Sequence, residues 1–181
     1  MRILGVDPGS NVTGFGVIER AGSRLVHVAH GTVRTDRAGG MAQRLHRLHE
    51  VLRDVIAQHR PDVASIEQVF VAASPRAALV LGQARGAALA ALGDAGLPVH
   101  EYAPAQIKRT VTGNGRAAKL QVQRMVRSLL GLEGTPAADA ADALAAAICH
   151  ANMGRLASCG VTARGRRSAR RSPRIHVRRL S

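Results

Sequence analysis

Aromatic side chains are scarce in this chain. Its 181 residues include two phenylalanines, one tyrosine and no tryptophan, although hydrophobic residues make up 46% of the total. The core must therefore be built from Ala, Val, Leu and Ile, and the length suits a single domain with a buried core. No run of about 18 apolar residues occurs, so we expect no membrane span. The opening MRILGVD reaches an acid before a signal-peptide segment could form.

Cysteine is nearly absent as well. The two cysteines, Cys149 and Cys159, lack the His and Cys spacing that zinc sites require. They are also too few for a disulfide framework in a chain of this length. We interpret them as reduced thiols of a cytosolic protein, so the expected location is cytoplasmic.

Acidic residues are outnumbered by basic ones. The chain holds 26 Lys and Arg against 12 Asp and Glu, a formal net charge of +14, which suggests a polyanionic partner such as nucleic acid. Residues 155–181 contain nine arginines and no acid, which leaves residues 1–154 with 17 basic and 12 acidic residues. We predict a folded domain over residues 1–154 and a disordered basic tail over residues 155–181.

Hydrophobic periodicity predicts an α/β fold. Short apolar runs joined by tight turns are typical of strands, and apolar stripes at helical spacing are typical of helices. Strands are predicted at 2–6, 12–19, 24–34, 62–67 and 97–102, and helices at 41–59, 75–93, 104–111, 117–130 and about 137–153, with Pro136 in the first turn of the last helix. This order indicates a mixed sheet with helices on both faces.

Two acids follow directly after apolar strands. Asp7 ends the run RILGV, and Glu67 ends the run DVASI. Ligand sites gather at the carboxyl ends of parallel strands, and an acid there needs solvent or a cation. Each acid also has a plain explanation, since Asp7 before Pro-Gly can start a turn and Glu67 can be an ordinary strand-end residue.

Two further acids lie three residues apart in the alanine-rich segment AADAADALAAA. This spacing places Asp139 and Asp142 on one face of a helix. The surrounding alanines let the helix lie close to a sheet, which could bring both acids toward Asp7 and Glu67. Asp139 also has a plain explanation as an acid near a helix N-terminus. Joined, the four carboxylates predict a site for a hard divalent ion, Mg²⁺ or Mn²⁺, suited to phosphodiester cleavage.

Three long segments resemble motifs of a known family. The segments ILGVDPGSNVTGFGVI, IEQVFVAASPRAALVLGQARGAAL and ADAADALAAAICH resemble, in this order, the motifs of the RuvC family of Holliday junction resolvases, which belongs to the RNase H-like superfamily. The resemblance covers about residues 1–153. It implies an RNase H-like mixed five-stranded sheet and an endonuclease that makes symmetric nicks in four-way junction DNA, leaving 5′-phosphate and 3′-hydroxyl ends.

The resemblance also implies a site and partners. Asp7, Glu67, Asp139 and Asp142 would be the catalytic metal ligands, for Mg²⁺ with Mn²⁺ as a substitute and two ions per site. The partners would be a second copy in a homodimer and the branch-migration complex of RuvA and RuvB. An aromatic residue at the position of Phe70 stacks on bases near the crossover in this family, whereas the pattern alone would favour a core Phe.

Lysine is the rarest charged side chain. Only Lys108 and Lys119 occur, among 26 basic residues, and both match basic positions near the family's active site. We expect Lys119 to stabilise charge at the scissile phosphate and Lys108 to contact a second phosphate, because Lys is a compact point charge. Chance clustering is the alternative. Arg76 and Arg85 of the central motif are expected to face either DNA or solvent.

Three other functions compete with the junction nuclease. A YqgF-type nuclease acting on RNA would share the opening strand but would not be expected to carry the EQVF and LGQARG segment. An actin-like ATPase would share the turn DPGSNVTGFGV but would need a second domain. A catalytically inactive junction-binding module would not need all four acids.

Overall fold

A five-stranded sheet and five helices make up the described part of the chain. The computed structural model describes residues 1–35, 39–68 and 74–158, with side chains to residue 153. The strands are β1 Arg2–Asp7, β2 Val12–Ala21, β3 Arg24–Arg34, β4 Val63–Glu67 and β5 Val99–Tyr102. The helices are α1 Met41–His59, α2 Pro75–Asp94, α3 Pro104–Thr112, α4 Lys119–Leu130 and α5 Ala138–Ser158.

The sheet is mixed, with the order β3-β2-β1-β4-β5. β2 is antiparallel to both β1 and β3, whereas β4 is parallel to both β1 and β5. A tight turn joins β2 to β3, and Gly22 there has a φ of 62°, which favours glycine. β4 and β5 are joined through α2 because a parallel pair needs a long crossover. The predicted mixed five-stranded sheet is confirmed.

Helices cover both faces of the sheet, as the sequence predicts. Side chains alternate between the faces along a strand. Ile3 of β1 packs in a core cluster with residues of α3, α4 and α5, whereas Leu4 and Val6 pack with residues of α1 and α2. Asp7 follows Val6, so this alternation places its side chain on the α5 face.

α5 is buried almost all round. Its residues from Ala140 to Cys149 are buried except Asp142. The helix contacts β1 and β2 on one side and α3 and α4 on the other. A helix in such a middle layer is expected to be apolar on every face, so the acids at its start are exceptions that need another explanation.

Glycines in the first two strands let α5 lie close to the sheet. A Cβ atom on Gly5 would overlap the carbonyl oxygen of Ala143, and one on Gly14 would overlap the carbonyl oxygen of Asp139. Gly14 is the partner of Asp7 in the β1–β2 register. The close approach therefore places the first turn of α5 directly beside the end of β1.

The boundaries of α5 differ from the prediction. The helix begins at Ala138, so Pro136 lies before it rather than in its first turn. The Pro136 carbonyl oxygen accepts a hydrogen bond from Gln123 Nε2 of α4 at 3.3 Å, which holds it in the connection. The helix continues to Ser158, beyond the predicted end near 153. The helix therefore includes residues 155–158, the first four of the predicted tail. Residues 159–181, with Cys159 among them, lie outside the described residues, and the division into domain and tail stays a prediction.

Candidate active site

Two neighbouring parallel strands end in carboxylates. The last register pair of β1 and β4 is Val6 with Ile66, so Asp7 and Glu67 follow side by side. Residues 3, 5 and 7 of β1, and their β4 neighbours, face α5. Both carboxylates thus lie at one edge of the sheet, beneath the start of α5.

The first turn of α5 brings the other two acids to the same place. Asp139 and Asp142 lie three residues apart in a helix, and the backbone of Asp139 rests on Gly14 beside Asp7. The side chains of Asp139 and Asp142 are 38% and 21% exposed. The structure therefore brings together the four acids that the sequence singled out, although their role as ligands stays a prediction.

The surroundings of Asp7 disfavour its charged form. Its pKa is raised from an ordinary 3.8 to about 7. Burial is the largest cause, and the nearby carboxylates of Asp142, Glu67 and Asp139 raise the pKa further, in that order. Lys119 acts in the opposite direction. Three neighbouring carboxylates thus act on Asp7 against one lysine ammonium.

Burial and a neighbouring carboxylate also raise the pKa of Glu67, at the end of β4. Burial is the main reason that its pKa is raised, and the charge of Asp142 adds to the shift. Lys108 and Lys119 lower the pKa. The two lysines that the sequence singled out are therefore both close enough to act on the carboxylates.

Lys119 lies against the helix-borne acids. Its Nζ is 2.8 Å from Asp142 Oδ2 and 4.0 Å from Asp139 Oδ1. This hydrogen bond with Asp142 is the largest cause of the raised pKa of Lys119. Lys108 of α3 shares a cavity of about 200 Å³ with Glu67, Lys119 and Asp142, between α3, α4 and α5.

The donors at this site fit a hard divalent cation, because they are all carboxylate oxygens with surplus negative charge. The side chains are not gathered into a compact ligand shell. Among the described residues, no three His, Cys, Asp or Glu side chains lie close enough together to hold an ion. The ammonium of Lys119 provides the neutralising charge at the helix-borne acids instead.

Most of the sequence matches the model of one protein family. The model described as crossover junction endodeoxyribonuclease RuvC matches residues 3–150. The chain belongs to the RuvC family. The resemblance seen in the three motifs is thereby confirmed, and the chain is a nuclease whose family cleaves DNA by metal-dependent hydrolysis.

Individual RuvC proteins match over most of their length. The RuvC of Geobacter metallireducens is 57% identical over 152 residues, which cover 84% of this chain and 93% of that protein. The RuvC of Bordetella avium is 52% identical over 179 residues and is matched over 99% of its length, with 97% of this chain covered. The match to the second relative thus extends through the basic C-terminal segment.

Solved structures match the fold. The Thermus thermophilus RuvC in complex with Holliday junction substrate superposes with a TM-score of 0.82 at 35% identity, covering 87% of this chain and 97% of that one. The yeast mitochondrial resolvase Ydc2 matches with a TM-score of 0.62 at 11% identity, a likeness of fold alone. The predicted RNase H-like architecture is confirmed.

Two expected DNA contacts have different outcomes in the RuvC fold described here. Phe70 lies outside the described residues, so its role stays a prediction. Arg85 is turned away from open solvent and is engaged within the protein. Its side chain is only 16% exposed, and its Nη2 lies 2.9 Å from Glu101 Oε1. Arg85 belongs to α2 and Glu101 to β5, so no local pattern could have revealed this pair.

Sequence reasoning also missed Ser65. This residue is fully buried in β4, two positions before Glu67 and on the same face of the strand. Its Oγ has no hydrogen-bond partner among the described residues. A serine inside the apolar run VASIE was the available signal, because a strand buried on both faces rarely carries a hydroxyl without a reason.

Proposed function

We propose that this chain is a structure-specific DNA endonuclease that resolves four-way (Holliday) junctions in recombination and repair. The reaction is hydrolysis of phosphodiesters in symmetric strand pairs, giving 5′-phosphate and 3′-hydroxyl ends. The observation that carries the proposal is the convergence of Asp7, Glu67, Asp139 and Asp142 at the carboxyl edge of β1 and β4. Such a group of acids in a half-buried place lowers the stability of the fold unless cations bind to it.

The proposed cofactor is Mg²⁺, with Mn²⁺ as a substitute and two ions per site. Asp7 and Glu67 would hold the ions from the sheet, and Asp139 and Asp142 would hold them from α5. Two bound divalent ions activate water and stabilise the leaving oxygen in phosphodiester cleavage. The raised pKa values of Asp7 and Glu67 support this assignment, because bound cations would offset both the cost of burial and the mutual repulsion of the acids.

The two lysines are proposed to act on the substrate's phosphates. Lys119 lies within hydrogen-bond distance of Asp142, so its ammonium would be close to a phosphate that ions hold at that acid. Lys108 lines the adjoining cavity and suits a neighbouring phosphate. A preorganised cation near the reacting group stabilises the transition state more than the ground state.

The remaining partners follow from family membership. We propose a homodimer, since symmetric nicks across a junction require two sites related by a two-fold axis. Phe70 is proposed to stack on bases near the crossover, which is worth about 1–3 kcal/mol per base. Cooperation with RuvA and RuvB and a cytoplasmic location belong to the same proposal. No helix in the described ranges is long and apolar enough to cross a membrane.

The test is a cleavage assay with a synthetic four-way junction and a matched linear duplex, each in Mg²⁺ and in EDTA. We expect symmetric nicks in the junction alone, and only with Mg²⁺. Equal cutting of both substrates would show a general nuclease. Tight junction binding without cutting in either Mg²⁺ or Mn²⁺ would show an inactive binding module.

A further inference from the structure

We infer that Arg85 is a positioning residue that fixes the carboxyl end of β4 and thereby the direction of the Glu67 carboxylate. The inference rests on the proposed role of Glu67 as a metal ligand. Arg85 belongs to α2, which packs on the face of the sheet opposite α5. It therefore acts from behind the active site rather than within it.

The guanidinium of Arg85 joins the ends of two strands. Its Nη1 donates to the main-chain carbonyl oxygen of Glu67 at 2.6 Å. Its Nη2 lies 2.9 Å from Glu101 Oε1, and Glu101 is the register partner of Ile66 in β5. A planar guanidinium can hold two acceptors in fixed directions at once, which a lysine cannot do.

The end of β4 needs this support because the carboxylate of Glu67 is repelled by a neighbouring acid. The Glu67 carboxylate is half-buried and faces the negative charge of Asp142. Past Glu67, the N–H of Gln68 donates to the Tyr102 carbonyl oxygen at 2.9 Å, and residues 69–73 lie outside the described part. The Arg85 hydrogen bond holds the main-chain carbonyl of Glu67 itself, so a backbone rotation that carried the residue away from the other acids would break it.

The contacts of Arg85 distinguish positioning from DNA binding. Its side chain is 16% exposed, and its two terminal nitrogens are both engaged within the protein. A phosphate contact would require breaking the ion pair with Glu101. Arg44 offers a parallel on the neighbouring turn, where it donates to the Ser10 carbonyl oxygen and to Asn11 Oδ1, but that turn begins beyond Asp7 and does not hold the acid's own carbonyl.

The experiment compares the full-length wild type with Arg85→Gln, Arg85→Lys and Glu101→Gln, and uses Arg53→Gln as the control. Arg53 is exposed on α1, and removing it takes away one positive charge without touching either strand end. Three quantities are measured: the single-turnover rate of junction cutting, the Mg²⁺ concentration for half-maximal rate, and junction affinity in EDTA. Circular dichroism and thermal melting report whether each variant folds.

We expect Arg85→Gln to lower the cutting rate or the apparent Mg²⁺ affinity by about 10- to 100-fold, as loss of a supporting contact around a metal site does. Junction affinity in EDTA should stay within about twofold of wild type. Arg85→Lys should recover only part of the loss, because Lys cannot hold both acceptors. Glu101→Gln should shift the Mg²⁺ dependence in the same direction by a smaller factor.

Several outcomes would overturn the inference. Wild-type rate and Mg²⁺ dependence in Arg85→Gln would show that Glu67 needs no such support. Equal losses of cutting and junction affinity would make Arg85 a DNA contact. If Arg85→Gln does not fold while Glu101→Gln behaves as wild type, Arg85 serves only stability. A wild type that cuts no junction would instead sink the proposed function, which is a separate result.

Discussion

The four carboxylates of the site are held in place by two different means. Asp7 and Glu67 stand at the ends of parallel strands, where the sheet register fixes their separation. Asp139 and Asp142 stand in the first turn of α5, which reaches the sheet because Gly14 has no side chain. The strand pair has raised pKa values that arise mainly from burial, whereas the helix pair has the ammonium of Lys119 beside it.

This difference shows where the electrostatic cost of the site falls. The sheet holds two acids in a half-buried place, and no Lys or Arg of the described residues forms an ion pair with either of them, so the strand pair opposes folding when it is ionised. The helix pair shares a lysine. Substitution of a strand acid should therefore lower the cutting rate and raise the stability of the metal-free protein. Substitution of Lys119 should lower the cutting rate with little effect on stability.

Asp7→Asn should have the largest effect on activity. We expect the single-turnover rate of junction cutting to fall by about 10³-fold or more, the order of loss when one member of a catalytic unit is removed. Junction affinity in EDTA should be unchanged, since Asn keeps the shape of Asp. Parallel losses of cutting and binding would show that Asp7 mainly holds the fold.

The same variant should be more stable than wild type without metal. The pKa of Asp7 is raised from 3.8 to about 7 in the folded protein, so the folded state binds a proton more tightly than the unfolded state. The contribution of Asp7 to stability is therefore lost as pH rises between these values. In EDTA, the Tm of Asp7→Asn should exceed that of wild type at pH 8, and the gap should narrow by pH 5. A gap independent of pH would contradict the electrostatic explanation.

Lys119→Met should have the next largest effect, on chemistry rather than affinity. We expect cutting to slow by about 10²-fold, the usual loss when one group that stabilises transition-state charge is removed. Lys119→Arg should retain only part of the rate. It keeps the positive charge, but the planar guanidinium cannot fully replace a compact ammonium beside Asp142. Junction affinity in EDTA falling as far as the rate would instead make Lys119 a phosphate anchor.

Sequence alone predicted much of this site because its signals are local. Asp7 and Glu67 each end an apolar run, and the predicted strand 24–34 coincides with β3. The contact between Arg85 and Glu101 is tertiary, as it depends on how α2 and β5 meet the end of β4. The role of Gly14 could not be predicted either. It depends on the Asp139 carbonyl that packs against this glycine, and nothing in the segment VTGFG indicates a contact with that helix.

Gly14→Ala tests whether the helix pair depends on close approach. The added methyl group would meet the Asp139 carbonyl, so we expect a loss of about 1–3 kcal/mol in the free energy of unfolding and slower cutting. Gly93→Ala is the control, because a Cβ there meets no atom within 4 Å. It should be neutral or stabilising by about 0.5–1 kcal/mol, as an alanine in a helix is. Urea denaturation in EDTA measures both, and equal stabilities would mean that α5 adapts without cost.

Ser65→Ala should have the smallest effect and probes the strand pair alone. The Ser65 hydroxyl is fully buried without a hydrogen-bond partner among the described residues, and leaving such a group unpaired costs about 1–3 kcal/mol. Alanine removes the hydroxyl with little change in volume, so we expect the Tm in EDTA to rise by about 2–4 °C per kcal/mol recovered. A fall in Tm would show that the hydroxyl has a hydrogen-bond partner, either water or Glu67. The cost of burying polar groups near the strand acids would then be smaller than their raised pKa values indicate.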